Sequence, residues 1–110
     1  MKVVTTPEVK KHLNDLITIL YEKGYFGYED TAKKYVDELI DEIITSLPRR
    51  MKKPAPQSFT SIFGDGLYYA IFPKNKRTSW YIFFRMYRKN GELIYQVRYI
   101  GNNHTVAQHL

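Results

Sequence analysis

The segment that most constrains this chain is Lys89-Asn90-Gly91-Glu92, which separates two runs rich in aromatic and β-branched residues. Asn-Gly between such runs is the strongest short-range signal for a β-hairpin, because both residues tolerate the positive φ angles of a type I′ turn. The sequence therefore predicts two antiparallel strands joined by a two-residue loop. A third apolar run, residues 67–72, precedes them and predicts a neighbouring strand.

Counting outward from the loop gives a register for the hairpin. Lys89 faces Glu92, and further out Phe84 faces Val97 and Phe83 faces Arg98. Because side chains alternate along a strand, the pairing sorts them onto two faces. The apolar face, which we expect on the core, carries Trp80, Ile82, Phe84, Met86, Tyr95, Val97 and Tyr99. The other face mixes rings with two guanidiniums, and we expect function there; it carries Tyr81, Phe83, Arg85, Tyr87, Ile94, Gln96, Arg98 and Ile100.

The length of 110 residues suits one domain, residues 1–110, with a single modest core. No apolar run approaches the roughly 18 residues of a membrane span, and no signal-peptide pattern is present, so neither a membrane location nor secretion is expected. The chain has no cysteine, which excludes disulfides and thiolate metal sites. We expect a cytoplasmic protein without a metal or cofactor.

The positive charge is concentrated in one half of the chain. Residues 1–46 hold six lysines against nine carboxylates, a net charge of −3, whereas residues 47–110 hold eleven Lys and Arg against two carboxylates, a net charge of +9. A basic surface with interleaved rings is typical of a nucleic-acid partner, since bases stack on aromatic and guanidinium planes. The alternative is a solubilising surface.

Two helices are predicted before the sheet. The first begins at Pro7 and ends near Gly24, and the second runs from about Asp30 to Leu47. Together with a short β-prone segment at the start, the order is β-α-α-β-β-β. We expect an α+β fold in which a two-helix hairpin packs on one face of a mainly antiparallel sheet. The second face would then be open, and an open face must be polar or bind something.

Two basic connectors flank the first sheet strand. Residues 49–57 form an irregular loop that is either a phosphate-contacting segment or a mobile connector, and its cations are Arg49, Arg50, Lys52 and Lys53. Residues 58–66 predict a partial strand or a turn. The second connector joins the first two sheet strands and carries Lys74, Lys76 and Arg77.

The element order, the hairpin and the ending Tyr99-Ile-Gly-Asn-Asn-His104 resemble the RelE/ParE superfamily of type II toxin-antitoxin toxins. The resemblance implies a RelE/ParE-like fold and growth inhibition by a toxin that a cognate antitoxin neutralises. One branch of that family consists of ribosome-dependent messenger-RNA endonucleases, or mRNA interferases. The ParE branch inhibits DNA gyrase instead.

For the nuclease branch, the resemblance implies metal-independent attack of a 2′-hydroxyl on the adjacent phosphate. His104 would be the general base or acid, because imidazole titrates near neutrality. Arg85 and Arg98 would stabilise the phosphate, and Phe83 and Tyr87 would stack on a base. His12 and His109 are expected on the surface without a role. The cations expected to bind RNA are Lys74, Lys76, Arg77, Arg49, Arg50, Lys52 and Lys53.

Three functions remain open at this point. Asn102-Asn103 follows the Ile-Gly step, where nuclease members of the family usually carry a basic residue, so gyrase inhibition without catalysis stays an alternative. The third possibility is a non-catalytic basic domain that binds nucleic acid and shares only the scaffold. The expected partners are therefore an antitoxin and either ribosome-bound messenger RNA or DNA gyrase.

Overall fold

The computed structural model describes residues 1–22, 24, 29–74, 76 and 78–103. Within them the chain is α+β, as predicted. The elements are β1 (Lys2–Thr5), α1 (Pro7–Glu22), α2 (Glu29–Ser46), a 3-10 helix (Leu47–Arg49), β2 (Lys53–Pro54), α3 (Gln57–Phe63), β3 (Tyr68–Pro73), β4 (Ser79–Lys89) and β5 (Glu92–Asn102). The predicted β-α-α-β-β-β order is wrong, because it lacks β2 and α3.

The five strands form one mixed sheet in the order β1-β5-β4-β3-β2. β1 runs parallel to β5, and every other neighbouring pair is antiparallel. The predicted hairpin joins β4 to β5 through Asn90 and Gly91, whose φ angles are +52° and +79°. The long β4–β5 pair therefore forms the middle of the sheet, and the short strands β1 and β2 lie at its two edges.

The main core lies between one face of the sheet and the apolar stripes of α1 and α2. Val9 and Leu13 of α1 and Val36 and Leu39 of α2 are buried there. Trp80 is in this core, as predicted, and its Nε1–H donates a hydrogen bond of 2.9 Å to the Tyr35 hydroxyl. Among the described residues, no helix combines the length and hydropathy needed to cross a membrane.

A β-bulge changes the register of the hairpin. The pairs from Lys89 and Glu92 to Phe84 and Val97 are as predicted, but the register then shifts between Phe83 and Phe84. Phe83 pairs with Tyr99, so the predicted pairing of Phe83 with Arg98 is wrong. The extra residue reverses the alternation beyond it.

The reversal exchanges two side chains between the faces of the sheet. Ile100, predicted on the second face, is 1% exposed in the main core. Tyr99, predicted on the core face, packs on the opposite side with Phe83.

α3 covers the part of the second face around Phe83 and Tyr99, so the prediction that this face is open is wrong there. Phe59 of α3 stacks on Phe83 with ring centroids 4.3 Å apart, and Phe83 is 0% exposed. Phe63 stacks on Tyr99 at 5.6 Å. Phe59 and Phe63 lie four residues apart, which places both rings on the same side of the helix. Phe83 is therefore a core residue under α3 and has no surface on which a base could stack.

We predict that Phe83→Ala lowers the free energy of unfolding by about 3–5 kcal/mol, because it removes a fully buried ring and leaves a cavity under α3. Urea unfolding followed by circular dichroism measures this loss. The control is Ile62→Ala on the outer side of the same helix, where the side chain is 73% exposed and the change should stay within about 0.5 kcal/mol. Similar losses for both variants would contradict the packing of α3 on this face.

Candidate active site

The candidate site lies at the edge of the sheet where β1 ends. β1 pairs with β5 only from Ile94 to Val97, so beyond Val97 no described strand pairs with this edge. α1 begins two residues after β1 ends and lies along the uncovered edge. His12 of α1 contacts the edge directly, with its Nε2 3.0 Å from the carbonyl oxygen of Ile100.

Three elements meet at this edge around a pocket of about 190 Å³. α1 approaches from the side of the main core, α3 approaches from the other face, and β5 runs between them. The lining residues are Glu8, Val9, His12, Phe63, Arg98 and Tyr99. The pocket thus combines a carboxylate, an imidazole, a guanidinium and a phenol in one small space.

The contact with Ile100 determines which ring nitrogen of His12 can act as a base. A carbonyl oxygen only accepts hydrogen bonds, so Nε2 must carry the proton in this contact. In the neutral ring, Nδ1 then has the free lone pair and can accept a proton. The ring also stacks on Tyr99, with centroids 5.6 Å apart and planes 29° apart. His12 is therefore held in a defined orientation.

His12 was expected on the surface, and the structure corrects this placement, because the side chain is half-buried. The sequence did contain a signal for its position. His12 follows Val9 by three residues and precedes Leu13 and Leu16 by one and four, which places it beside the apolar stripe of α1. Its partner Ile100 lies 88 residues away, so no local pattern could reveal the hydrogen bond.

Arg98 lies next to the β-bulge and lines the same pocket. Its side chain is half-buried, and it forms neither an ion pair nor a hydrogen bond with the described residues. A guanidinium carries five N–H donors and keeps its charge at any ordinary pH. Arg98 is consequently the lining group best able to hold an anion.

Arg85 has a different environment from Arg98. Its Nη2 donates a hydrogen bond of 3.0 Å to the carbonyl oxygen of Phe63, the last residue of α3. At the C-terminal end of a helix, a cation donates to a carbonyl oxygen that has no partner within the helix, and its charge interacts favourably with the helix dipole. Gly64 follows with φ +96°, and a Cβ there would overlap the Arg85 guanidinium. Arg85 thus fixes the end of α3, and with it the Phe63 ring that lines the pocket.

The predicted RNA-binding cations are not gathered at this pocket. Arg50 and Lys74 both bind Glu42, with nitrogen–oxygen distances of 2.9 Å and 2.6 Å. Lys52 donates to the backbone carbonyls of Pro48 and Arg50 at 3.0 Å and 3.2 Å. Arg50 and Lys74 lie near β2 and β3, and the Lys52 ammonium lies 5.4 Å from the ring centroid of Tyr95, a β5 residue that does not line the pocket.

The other predicted site residues that the structure describes are also absent from the lining of the pocket. Arg49 is exposed and donates to the carbonyl oxygen of Thr45 at 3.2 Å, while Lys53 and Lys76 are exposed. Tyr87, which is 42% exposed, lies near the β4–β5 turn. Arg77 and His104 lie outside the described residues, as does His109.

Comparisons with protein families, curated proteins and solved structures found no match for this chain. Among the described residues, no group of three or more His, Asp or Glu side chains is arranged to hold a metal ion. The interpretation of the pocket therefore depends on the chemistry of its own side chains.

We predict that Gly64→Ala destabilises the protein more than Gly66→Ala. Both glycines have positive φ, +96° and +78°, but a Cβ at Gly66 meets no atom within 4 Å, whereas one at Gly64 displaces the Arg85 guanidinium. The lost charged hydrogen bond should add about 1.5–3 kcal/mol to the backbone cost, measured by urea unfolding. In an Arg85→Ala background this addition should disappear. An equal cost of Gly64→Ala in both backgrounds would contradict the positioning role of Arg85.

Proposed function

We propose that the protein is a toxin of the RelE/ParE kind that cleaves messenger RNA on the ribosome and is neutralised by an antitoxin. The observation that carries the proposal is the edge pocket, which is lined both by the Arg98 guanidinium, without a partner among the described residues, and by the oriented imidazole of His12. A cation and a base around one small pocket are what cleavage of a phosphodiester by its own 2′-hydroxyl requires.

The reaction assigns a step to each group. Nδ1 of His12 takes the proton of the 2′-hydroxyl, whose oxygen attacks the adjacent phosphorus. Arg98 donates hydrogen bonds to the phosphorane oxygens as negative charge develops on them. The bond from phosphorus to the 5′-oxygen breaks, and the leaving oxygen takes a proton from water. The products are a 2′,3′-cyclic phosphate and a 5′-hydroxyl, so no oxidant or second substrate is consumed.

The size of the pocket favours a polymer over a small free substrate. Its volume of about 190 Å³ is below the roughly 300–1,000 Å³ typical of pockets that enclose a small molecule. A phosphate group with part of its sugar fits such a space while the rest of the chain lies along the surface. The net charge of +9 in residues 47–110 would attract that polyanion over a longer range.

The chemistry also gives separate tasks to the other lining residues. Tyr99 and Phe63 stack on each other and form the apolar wall that excludes water from one side of the pocket. Glu8 is exposed at the start of α1, where a carboxylate is favoured by the helix dipole. A carboxylate at the pocket also repels phosphate, so Arg98 is needed to make the net field there favourable for an anion.

We predict that induced expression of the wild-type chain stops growth of a bacterial host and produces cuts in its messenger RNAs, mapped by primer extension. Arg98→Ala should reduce cleavage by about 10²–10³-fold and His12→Ala by about 10²–10⁴-fold, and both should restore growth. Arg98→Lys should recover only part of the activity, because it keeps the charge and loses the planar fork.

The matched control is Arg88→Ala, which removes the same charge at an exposed position near the β4–β5 turn and should leave cleavage unchanged. Circular dichroism checks that every variant is folded. Growth arrest with intact transcripts would overturn the nuclease proposal in favour of gyrase inhibition. Unaffected growth would leave a non-catalytic nucleic-acid-binding domain, and full activity of folded Arg98→Ala would remove the pocket as the site.

A further inference from the structure

The opposite edge of the sheet has backbone groups without a partner. β2 pairs with only two residues of β3, Tyr68 and Tyr69. Beyond them, no described strand pairs with the outer side of residues 70–73. In an antiparallel sheet, alternate residues direct their N–H and C=O to the same side. The Ala55 N–H donates to the carbonyl oxygen of Leu67 across this edge at 2.9 Å, so Tyr69 and Ile71, two and four residues further on, direct their N–H and C=O outward as well.

A groove lies beside these free groups. The chain that enters β2 diverges from β3, and the space between them is a pocket of about 250 Å³. One wall is formed by the segment before β2 and the other by β3; the lining residues are Arg50, Met51, Lys53, Tyr69, Ala70, Ile71 and Pro73. Met51 is 80% exposed although it is apolar. The groove therefore offers backbone donors and acceptors together with apolar surface.

Every charged side chain that lines the groove is a cation. Lys53 is exposed and has no ion pair with the described residues. Arg50 binds Glu42, but the same carboxylate also binds Lys74, so one negative charge is shared between two positive ones. Arg49 adds a further exposed cation close by in sequence. The field at the groove is positive after these pairs are counted.

We propose that this groove binds an extended, acidic peptide segment of a partner protein, which adds to the sheet as a strand beside Ile71. Strand addition uses a free sheet edge for affinity and adjacent side-chain pockets for specificity. The exposed cations select carboxylates on the peptide, and the apolar wall of Met51 and Ile71 accepts the alternate side chains. A peptide strand presents an N–H and a C=O at the spacing of the free N–H and C=O of Ile71, whereas the phosphate oxygens of RNA only accept hydrogen bonds, so the edge favours a peptide over RNA.

The residues on both sides of Ile71 carry the usual protection of a sheet edge, but Ile71 itself does not. Natural edges are blocked by short strands, lysine or proline. β2 covers the edge at Tyr68 and Tyr69, and Pro54 closes the outer side of β2 because it has no N–H. Pro73 ends β3. The open section is therefore short and centred on Ile71. The proposal does not depend on the nuclease activity of the other edge.

The test uses fluorescence anisotropy with the full chain and a labelled ten-residue peptide of alternating valine and glutamate. We expect saturable binding, and at least tenfold weaker binding of the matched peptide of alternating valine and lysine. Lys53→Glu should weaken binding of the glutamate peptide at least tenfold. The control Lys10→Glu makes the same charge change at an exposed position on α1 and should leave binding unchanged.

Backbone pairing is tested on the peptide, so the fold of the protein is not altered. Two analogues carry N-methyl groups on all valines or on all glutamates, which removes the N–H donors from one strand edge or the other. We expect at least one analogue to bind tenfold more weakly than the parent peptide. If both analogues bound as tightly as the parent peptide, strand addition would be overturned. Binding of a ten-nucleotide oligothymidine that is tighter than the peptide and lost in Lys53→Glu would overturn the peptide as occupant.

Discussion

The structure depends on the β-bulge that interrupts the β4–β5 pair between Phe83 and Phe84. A regular ladder would place Tyr99 in the main core and Ile100 on the opposite face. With one extra residue, Ile100 completes the main core and Tyr99 packs under α3. Bulges re-aim side chains at the cost of a local break in pairing, and they are frequent beside functional sites. Here the bulge brings Arg98 and Tyr99 to the pocket that His12 also lines.

The helix α3 is held on the sheet by apolar and polar contacts that act together. The Phe59 ring stacks on Phe83, which buries apolar surface but leaves the helix free to slide. The hydrogen bond from Arg85 to the carbonyl oxygen of Phe63 is directional and fixes the end of the helix. Gly64 permits it, since any side chain there would occupy the place of the guanidinium. Arg85, which was predicted to stabilise the phosphate, therefore affects the pocket through the position of Phe63.

Features that depend on interactions between residues close in sequence were predicted correctly, whereas features that depend on distant contacts were missed. The turn at Asn90 and Gly91 depends on local backbone preferences, and it was predictable together with the register as far as Phe84. The bulge places Tyr99 against α3, and this segment was predicted as a partial strand or turn because a helix of seven residues gives little periodic signal. The contact of His12 with Ile100 depends on the whole fold. Arg98 could be singled out from the sequence because a guanidinium among rings is conspicuous in a strand, and its role in binding an anion stays a prediction.

The outer strand is short at both edges of the sheet, but the groups that line the uncovered part of the edge differ between β5 and β3. At β5, α1 lies beside the edge that β1 does not reach, and His12 of that helix donates a hydrogen bond to a backbone carbonyl, so the remaining space is a corner lined by polar and aromatic side chains. At β3, the chain beyond β2 turns away without covering the edge, so the backbone of Ile71 stays open. A corner lined by side chains suits a small group that reacts, whereas an open backbone edge suits an extended chain that pairs. The two edges of one sheet therefore differ in chemistry because the chain beyond each short outer strand takes a different course.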